Sequence, residues 1–453
     1  MTAALLYTLG VVLFAGAILV SIGLHELGHL IPAKAFGGKV TQYFIGFGPT
    51  VWSKQVGETE YGLKAIPLGG YVKIVGMLPP EATAVADEVT VDAAGQQVTR
   101  VRKSNTGLFT QLISDARAAE WELVGPADAD RLFYKLPWWK KVVVMAGGPT
   151  VNILIAFFLF WGVFATYGQR SVEPEPGAPV IESVSACLIP YVEEPRACTD
   201  ADPVTPAVEA GLEPGDTITT FNGTAVTSWD QLRDLIRTND DGDAVIGYER
   251  DSRELTGTTS TTVQARPTGD DETLTQVGFL GVTPTARVVT ETGGPVYTLD
   301  QMGDMTVQTV EALVHLPARV FDVGQAILGL EERAADSPVS IVGGGRLAGE
   351  AASHEEFPVT EKVVLLVMLV AGFNFFIGMF NFVPLLPLDG GHIASALWEG
   401  LRRGVARVRG RPDPGYVDAA KLLPIAYVVA SAFVVMGVVL IVGDLVVPLH
   451  LEG

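Results

Sequence analysis

Ser21-Ile-Gly-Leu-His25-Glu26-Leu-Gly28-His29-Leu-Ile-Pro-Ala33 places three ionisable groups on one helical turn, inside a run that is otherwise apolar from Ala4 to about Ala33. About 20 mostly apolar residues suffice to cross the hydrocarbon core of a bilayer, so the run reads as a membrane span. It has no basic n-region and no small-residue cleavage site, which favours a retained span over a signal peptide. A charged side chain at the centre of a membrane helix costs about 2.5–3.5 kcal/mol on insertion scales. Three on one turn need a compensating partner, and a bound cation supplies one.

Working outward, three further apolar runs are long enough to span: 142–167, 363–383 and 422–447. The chain has 453 residues, and only 18% of them are charged. That is too few for a disordered chain. The net charge of −20 argues against nucleic acid as a partner, because phosphate neutralisation needs clustered Lys and Arg. Residues 36–141 carry 12 Lys/Arg against 11 acids, with Lys135, Lys140 and Lys141 crowded before the second span. Residues 390–421 carry Arg402, Arg403, Arg407, Arg409, Arg411 and Lys421, whereas 170–300 carry 8 Lys/Arg against 23 acids. By the positive-inside rule the first two segments face the cytoplasm, and the acidic block and both chain ends face outside.

The expected fold is a polytopic α-helical membrane protein with four transmembrane helices, a membrane-associated β-hairpin and one extracytoplasmic PDZ-like α+β domain. Its divisions are 1–35 (first span), 36–80 (hairpin), 81–140 (cytoplasmic loop), 141–168 (second span), 172–290 (outer domain), 301–345 (amphipathic helix and linker), 362–388 (third span), 390–421 (cytoplasmic loop) and 422–448 (fourth span). Cys187 and Cys198 fall in the outer block, where an oxidising compartment favours a disulfide. In 301–345, Val310, Leu313, Leu316, Val320, Val323 and Ile327 recur at helical spacing, and Pro317 should kink or split the helix. Gln42–Val51 and Gly62–Val75 are rich in aromatic and β-branched residues around a turn at Gly57–Glu60. They read either as a hairpin whose edge pairs with an unwound substrate or as one that only packs.

The chemistry follows from spacing. Residues i and i+4 share a helical face, so His25 and His29 can reach one metal ion with Glu26 beside them. Two His ligands and an adjoining Glu base form the constellation of zinc hydrolases. A third ligand is needed, and Asp389 is the candidate; it follows the third span in Asn381-Phe-Val-Pro384-Leu-Leu-Pro387-Leu-Asp389-Gly-Gly-His392. His392 is a rival ligand, and a helix-capping Asp389 is another alternative. Asn152 and Asn381 could position substrate or stabilise an oxyanion, or could simply bond between helices; Asn374 is a weaker candidate of the same kind. Tyr43, Tyr61 and Tyr71 read as ordinary strand residues, and His315, His354 and His450 as surface residues. A metal-binding scaffold without turnover and an ion transporter are competing classes. The presence of Glu26 speaks against the first, and the lack of an internal repeat speaks against the second.

Ala207–Asn222, AVEAGLEPGDTITTFN, with Gly223 after it resembles a PDZ domain of the bacterial envelope-protease type. Together with His25-Glu-x-x-His29, Leu388-Asp389-Gly390, Gly147-Gly-Pro-Thr-Val-Asn152 and Pro338-Val-Ser-Ile341, it makes the chain resemble the site-2 protease family of intramembrane zinc metalloproteases. The branch it resembles is that of the regulator-of-sigma-E-protease-like and actinobacterial Rip-like enzymes. The resemblance implies zinc as cofactor, the transmembrane segments of single-pass membrane proteins as substrates (an anti-sigma factor among them, after a first extracytoplasmic cut), and residence in the cell membrane. That branch often has two PDZ domains, whereas one clear copy is found here. Residues 81–130 match no motif of the family.

Overall fold

The computed structural model describes residues 3–79, 89–91, 97–99, 113–117, 121, 128–190, 197–199, 201–268 and 273–450. Most of the expected cytoplasmic loop 81–140 lies outside them. The chain divides into two compact units, 168–292 and the remainder.

In the larger unit, α1 (Ala3–Ala35) carries the HELGH turn. Two long strands follow, β1 (Val40–Val56) and β2 (Thr59–Ile74). Their register is more elaborate than the expected hairpin. Gln42 pairs with both Lys73 and Glu60, and Ile45 with both Gly70 and Leu63. Segment 40–45 therefore lies between 70–74 and 60–63, while 50–56 pairs back on 59–64. Each strand folds over at its middle, where Gly46 (φ 93°) and Gly69 (φ 125°) take a backbone conformation that side-chain-bearing residues rarely adopt. Segment 70–74 becomes an outer edge of this sheet. A short pair, β3 (Val89–Val91) and β4 (Gln97–Thr99), precedes α2 (Trp138–Thr166).

The 168–292 unit has an apolar core of its own. Its strands are β5 (Gln169–Pro174), β6 (Ile181–Val184), β7 (Thr217–Phe221), β8 (Thr224–Ala225), β9 (Asp243–Arg250), β10 (Arg253–Ser260), β11 (Thr262–Thr268), β12 (Thr273–Phe279), β13 (Val282–Pro284) and β14 (Ala286–Glu291), with helices α3 (Pro206–Glu209) and α4 (Trp229–Thr238). The central sheet runs β10-β9-β7-β8. Ile181, Ile218, Phe221, Leu232, Ile246 and Leu280 fill the core. Ser228 caps α4 by accepting from the Gln231 N–H. In the Pro214-Gly215-Asp216 turn, the buried Asp216 carboxylate accepts from the Glu213 N–H at 2.8 Å and from Arg250 at 2.7 and 2.8 Å. Cys187 and Cys198 form the disulfide.

The chain returns to the larger unit through α5 (Pro295–Ile327), α6 (Ile341–Ser353), α7 (Val359–Asn381), α8 (Asp389–Val408) and α9 (Leu423–Val446). Pro317 does not split α5, which runs through it as one helix. The expected 301–345 element is in fact two helices, and the second packs on α1: Ala348 joins Phe14 and Ile18 in one cluster. Its N-terminus is tied to α9. Buried Asp444 accepts from the Ser340 N–H (2.7 Å), the Gly343 N–H (3.1 Å) and Arg333 (2.8 Å). The third span ends at Asn381, earlier than the expected 388. Pro384 and Pro387 prevent helix from continuing through 382–388, and Asp389 opens the next helix.

Among the described residues four helical stretches are long and apolar enough to cross a membrane: Ala3–Ala35, Trp138–Thr166, Val359–Asn381 and Ala419–Val446. Their large apolar side chains point outward; Val20, Phe158, Val363 and Val434 are all more than half exposed. Exposure of that kind is unfavourable in water and suits lipid.

Candidate active site

His25, Glu26 and His29 arrive on one turn of α1, as their spacing requires. The structure brings Asp389 to them from α8. The three candidate ligands offer donor atoms that all lie within 4.8 Å of one another. His25 Nε2 and His29 Nε2 are 3.3 Å apart, and Asp389 Oδ2 stands 3.4 and 3.3 Å from them.

The opposite ring nitrogens show what this cluster is made for. His29 Nδ1–H donates to the Val144 carbonyl at 2.8 Å, and His25 Nδ1–H donates to Asn152 Oδ1 at 2.8 Å. Each ring keeps its proton on that side and turns an Nε2 lone pair to the shared point. Two lone pairs and a carboxylate oxygen at these distances repel one another unless a cation lies between them. Two imidazole nitrogens and one carboxylate oxygen form a zinc donor set that leaves the fourth position open. The residues therefore fit the metal.

One face of α2 organises the whole cluster. Lys141, Val144, Gly148 and Asn152 follow one another at spacings of three, four and four, so they line one side of the helix. Lys141 Nζ donates to Glu399 Oε2 at 2.8 Å, with side chains 7% and 2% exposed, and so anchors α8, the helix that begins with Asp389. Val144 and Asn152 hold the two imidazoles. Gly148 leaves room for them: a Cβ there would collide with His29 Nε2 and come within 2.8 Å of His25 Nε2. The backbones of α1 and α2 cross at Gly28 and Gly147, where a Cβ on either would strike the carbonyl of the other.

The cluster opens into a cavity of about 290 Å³ lined by Glu26, Gly70, Tyr71, Asn381, Pro387 and His392 among others. Glu26 therefore faces the same space as the candidate ligands. The edge segment 70–74 forms one wall, and Gly70 lets it pass so close to Glu26 that a Cβ there would approach Glu26 Cγ to 2.8 Å. Tyr43 ties the sheet to α1 by donating from its hydroxyl to the Gly23 carbonyl at 2.7 Å.

The remaining candidates separate cleanly. Asp389 makes no helix-capping bond; the N-cap residue is Leu388. His392 lines the cavity but lies outside the three-residue cluster. Asn381 also lines the cavity, and its Nδ2 donates to Ile377 O within its own helix. Asn152 is not among the cavity-lining residues and is engaged with His25. Lys141 is legible in the sequence only as one of the basic residues before the second span, and Glu399 is not marked at all; nothing in the sequence pairs them. Tyr61 accepts a bond from Lys34, His450 pairs with Glu350, and His315 is exposed.

Apolar spans enclosing a candidate metal-ligand cluster beside a carboxylate point to the class of membrane-embedded metallohydrolases. Comparison with known proteins agrees. The sequence profile of Peptidase family M50 matches residues 13–413. The zinc metalloprotease Rip1 of Mycobacterium tuberculosis is 32% identical over 99% of this chain and 100% of its own length. Rip1 of Mycolicibacterium smegmatis is 33% identical over the same shares. The metalloprotease MmpA of Caulobacter vibrioides is 24% identical over 86% of each chain. The chain belongs to peptidase family M50, the site-2 proteases: it is a zinc metalloprotease and a multi-pass membrane protein.

Proposed function

We propose that this protein is an intramembrane endopeptidase that cuts the transmembrane segments of single-pass membrane proteins. In this reading His25, His29 and Asp389 hold the zinc and Glu26 is the catalytic base. The observation that carries it is the convergence of both imidazoles, Asp389 and Glu26 on one cavity walled by an open strand edge. When bound there, zinc supplies Lewis acidity, lowering the pKa of water to about 7 and polarising the scissile carbonyl.

The chain's own residues do the rest. A transmembrane helix has its amides bonded internally, so it must unwind before an amide can be attacked. Among the described residues no strand pairs with segment 70–74 on the side away from 40–45, so an extended peptide can add there as a strand. That would hold the scissile bond beside Glu26. Glu26 takes a proton from the attacking water and delivers it to the departing amine nitrogen. Asn381 keeps one N–H free of its bond to Ile377 and supplies a donor at the cavity wall.

The finer reading concerns topology and substrate. The basic flanks of the second span and of 390–421 support a cytoplasmic position for them, with 168–292 as an extracytoplasmic PDZ-like domain and both termini outside. The likeness to the Rip-like enzymes supports an anti-sigma factor as substrate, cut here after a first extracytoplasmic cleavage. The test is reconstitution with a single-pass substrate. Glu26→Gln is expected to lose cleavage while keeping about one zinc per chain, whereas Asp389→Ala is expected to lose the zinc. Equal cleavage by Glu26→Gln and the parent would remove the proposed base.

A further inference from the structure

The polar chain that holds His25 does not end at Asn152. Asn152 Nδ2 donates to Asn374 Oδ1 at 3.4 Å, and Asn374 Nδ2 donates to the Val370 carbonyl in its own helix at 2.8 Å. Asn152 and Asn374 are 1% and 0% exposed, so water cannot substitute for either partner. The chain crosses three spans: Asn374 on α7, Asn152 on α2 and His25 on α1.

Its direction is set by elimination. A backbone carbonyl only accepts, so Asn374 must turn its NH2 to Val370 and its oxygen to Asn152. Facing an oxygen, Asn152 must turn its own NH2 to Asn374 and its oxygen to His25. Facing an oxygen in turn, His25 must carry its proton on Nδ1, which leaves Nε2 bare toward Asp389 and His29. Without Asn374 the Asn152 amide is free to rotate by half a turn and present NH2 to His25 Nδ1. The ring would then take the other tautomer, with a proton on the nitrogen that faces the metal position.

We propose that Asn374 is a positioning residue for the metal centre: acting through Asn152, it selects the tautomer of His25 that presents a free Nε2. This rests on the reading that His25 ligates zinc. Asn374 touches neither His25 nor the cavity, and its effect on the metal passes through Asn152.

The experiment measures zinc affinity by chelator competition on the purified full-length chain, together with the absorption spectrum of the cobalt-substituted protein. Asn374→Leu is expected to weaken zinc binding by about 10–100-fold, the usual loss when a partner behind a metal ligand is removed. The discriminating variant is Asn152→Asp in the Asn374→Leu background. A carboxylate has no NH2 to present, so His25 is forced back to Nδ1–H, and affinity and cobalt spectrum are expected to return to within about threefold of the parent. Unchanged affinity in Asn374→Leu overturns the proposal. So does a double variant as weak as Asn374→Leu, which would mark a packing defect. If Asn374→Leu does not fold, Asn374→Asp in its neutral form donates its O–H to the Val370 carbonyl and still offers Asn152 an acceptor, and is expected to bind within about threefold of the parent; a tenfold or greater loss there overturns the proposal. His25→Ala separates the two levels: retention of zinc in that variant overturns the metal-centre reading itself.

Discussion

The two units of this chain bury carboxylates for opposite ends. In the 168–292 unit, Asp216 is fully buried and fully answered by the Glu213 N–H and Arg250; it closes a turn beneath a core of Ile218, Leu232 and Ile246. In the larger unit, Glu26 and Asp389 line one cavity, and among the described residues no Arg or Lys pairs with either, the imidazoles of His25 and His29 being the groups beside Asp389. A soluble domain gains stability by filling its interior with apolar groups and satisfying the few polar ones. A membrane unit already has apolar surroundings, so apolar side chains face outward and the interior is left for polar chemistry. Two buried ion pairs of the larger unit, Lys141–Glu399 and Arg333–Asp444, lie outside the cavity lining. The comparison teaches that an unanswered buried carboxylate here marks function and an answered one marks architecture.

Substitution can break that contrast. The largest effect is expected from Glu26→Gln, which should cut the rate by about 10²–10⁴-fold, the usual contribution of a positioned base, and leave thermal unfolding unchanged; a fall in unfolding temperature would make Glu26 structural. Next comes reduction of Cys187–Cys198. It closes a short loop and should cost the 168–292 unit roughly 2–4 kcal/mol, read as a reductant-dependent shift in unfolding, with zinc content unaffected. Asp216→Ala should cost about 1–3 kcal/mol, because the Glu213 N–H loses its acceptor, and should likewise spare the zinc. An effect of Asp216→Ala on zinc would erase the distinction between the units.

The smallest effect belongs to the exposed pair Glu58–Arg131, bonded at 2.6 and 2.7 Å. The hydrogen bond from Arg131 holds the Glu58 carboxyl below its ordinary value of 4.5. A depressed folded-state pKa means that the stabilisation is present above the ordinary value and is lost as the pH falls below it. For a solvent-screened pair this is on the order of 0–1 kcal/mol. Because Arg131 Nε–H also donates to the Gly37 carbonyl at 3.2 Å whatever the pH, Arg131→Gln should lower stability more at neutral pH than in strong acid, as seen in unfolding curves across pH.

Much of this was legible because membranes constrain sequence severely. Four spans follow from length and hydropathy, and His25-Glu26-x-x-His29 follows from helical periodicity alone. Asp389 could be nominated because it follows an apolar helix broken by two prolines, with His392, three residues on, left as a rival. Other features were not legible. The folded-over sheet, in which 40–45 lies between 60–63 and 70–74, depends on bends at glycines whose pairing partners are unmarked in the chain. Pro317 reads as a helix breaker yet sits within a continuous α5. Asn152 reads equally as a substrate-positioning residue or as one that bonds between helices, because nothing in sequence tells which way a buried amide turns.

The sequence by itself determined the spans, the paired imidazoles with their glutamate, and the cysteines able to bridge, because each depends on spacings within a few residues or on local apolarity. Only the tertiary structure decided that Asp389 rather than His392 completes the cluster, that Lys141 meets Glu399 across 258 residues, and that Asn374 reaches His25 through Asn152. Those choices depend on which helix faces cross, and a crossing is set by glycine contacts and side-chain fit summed over several helices at once, which no local stretch of chain records.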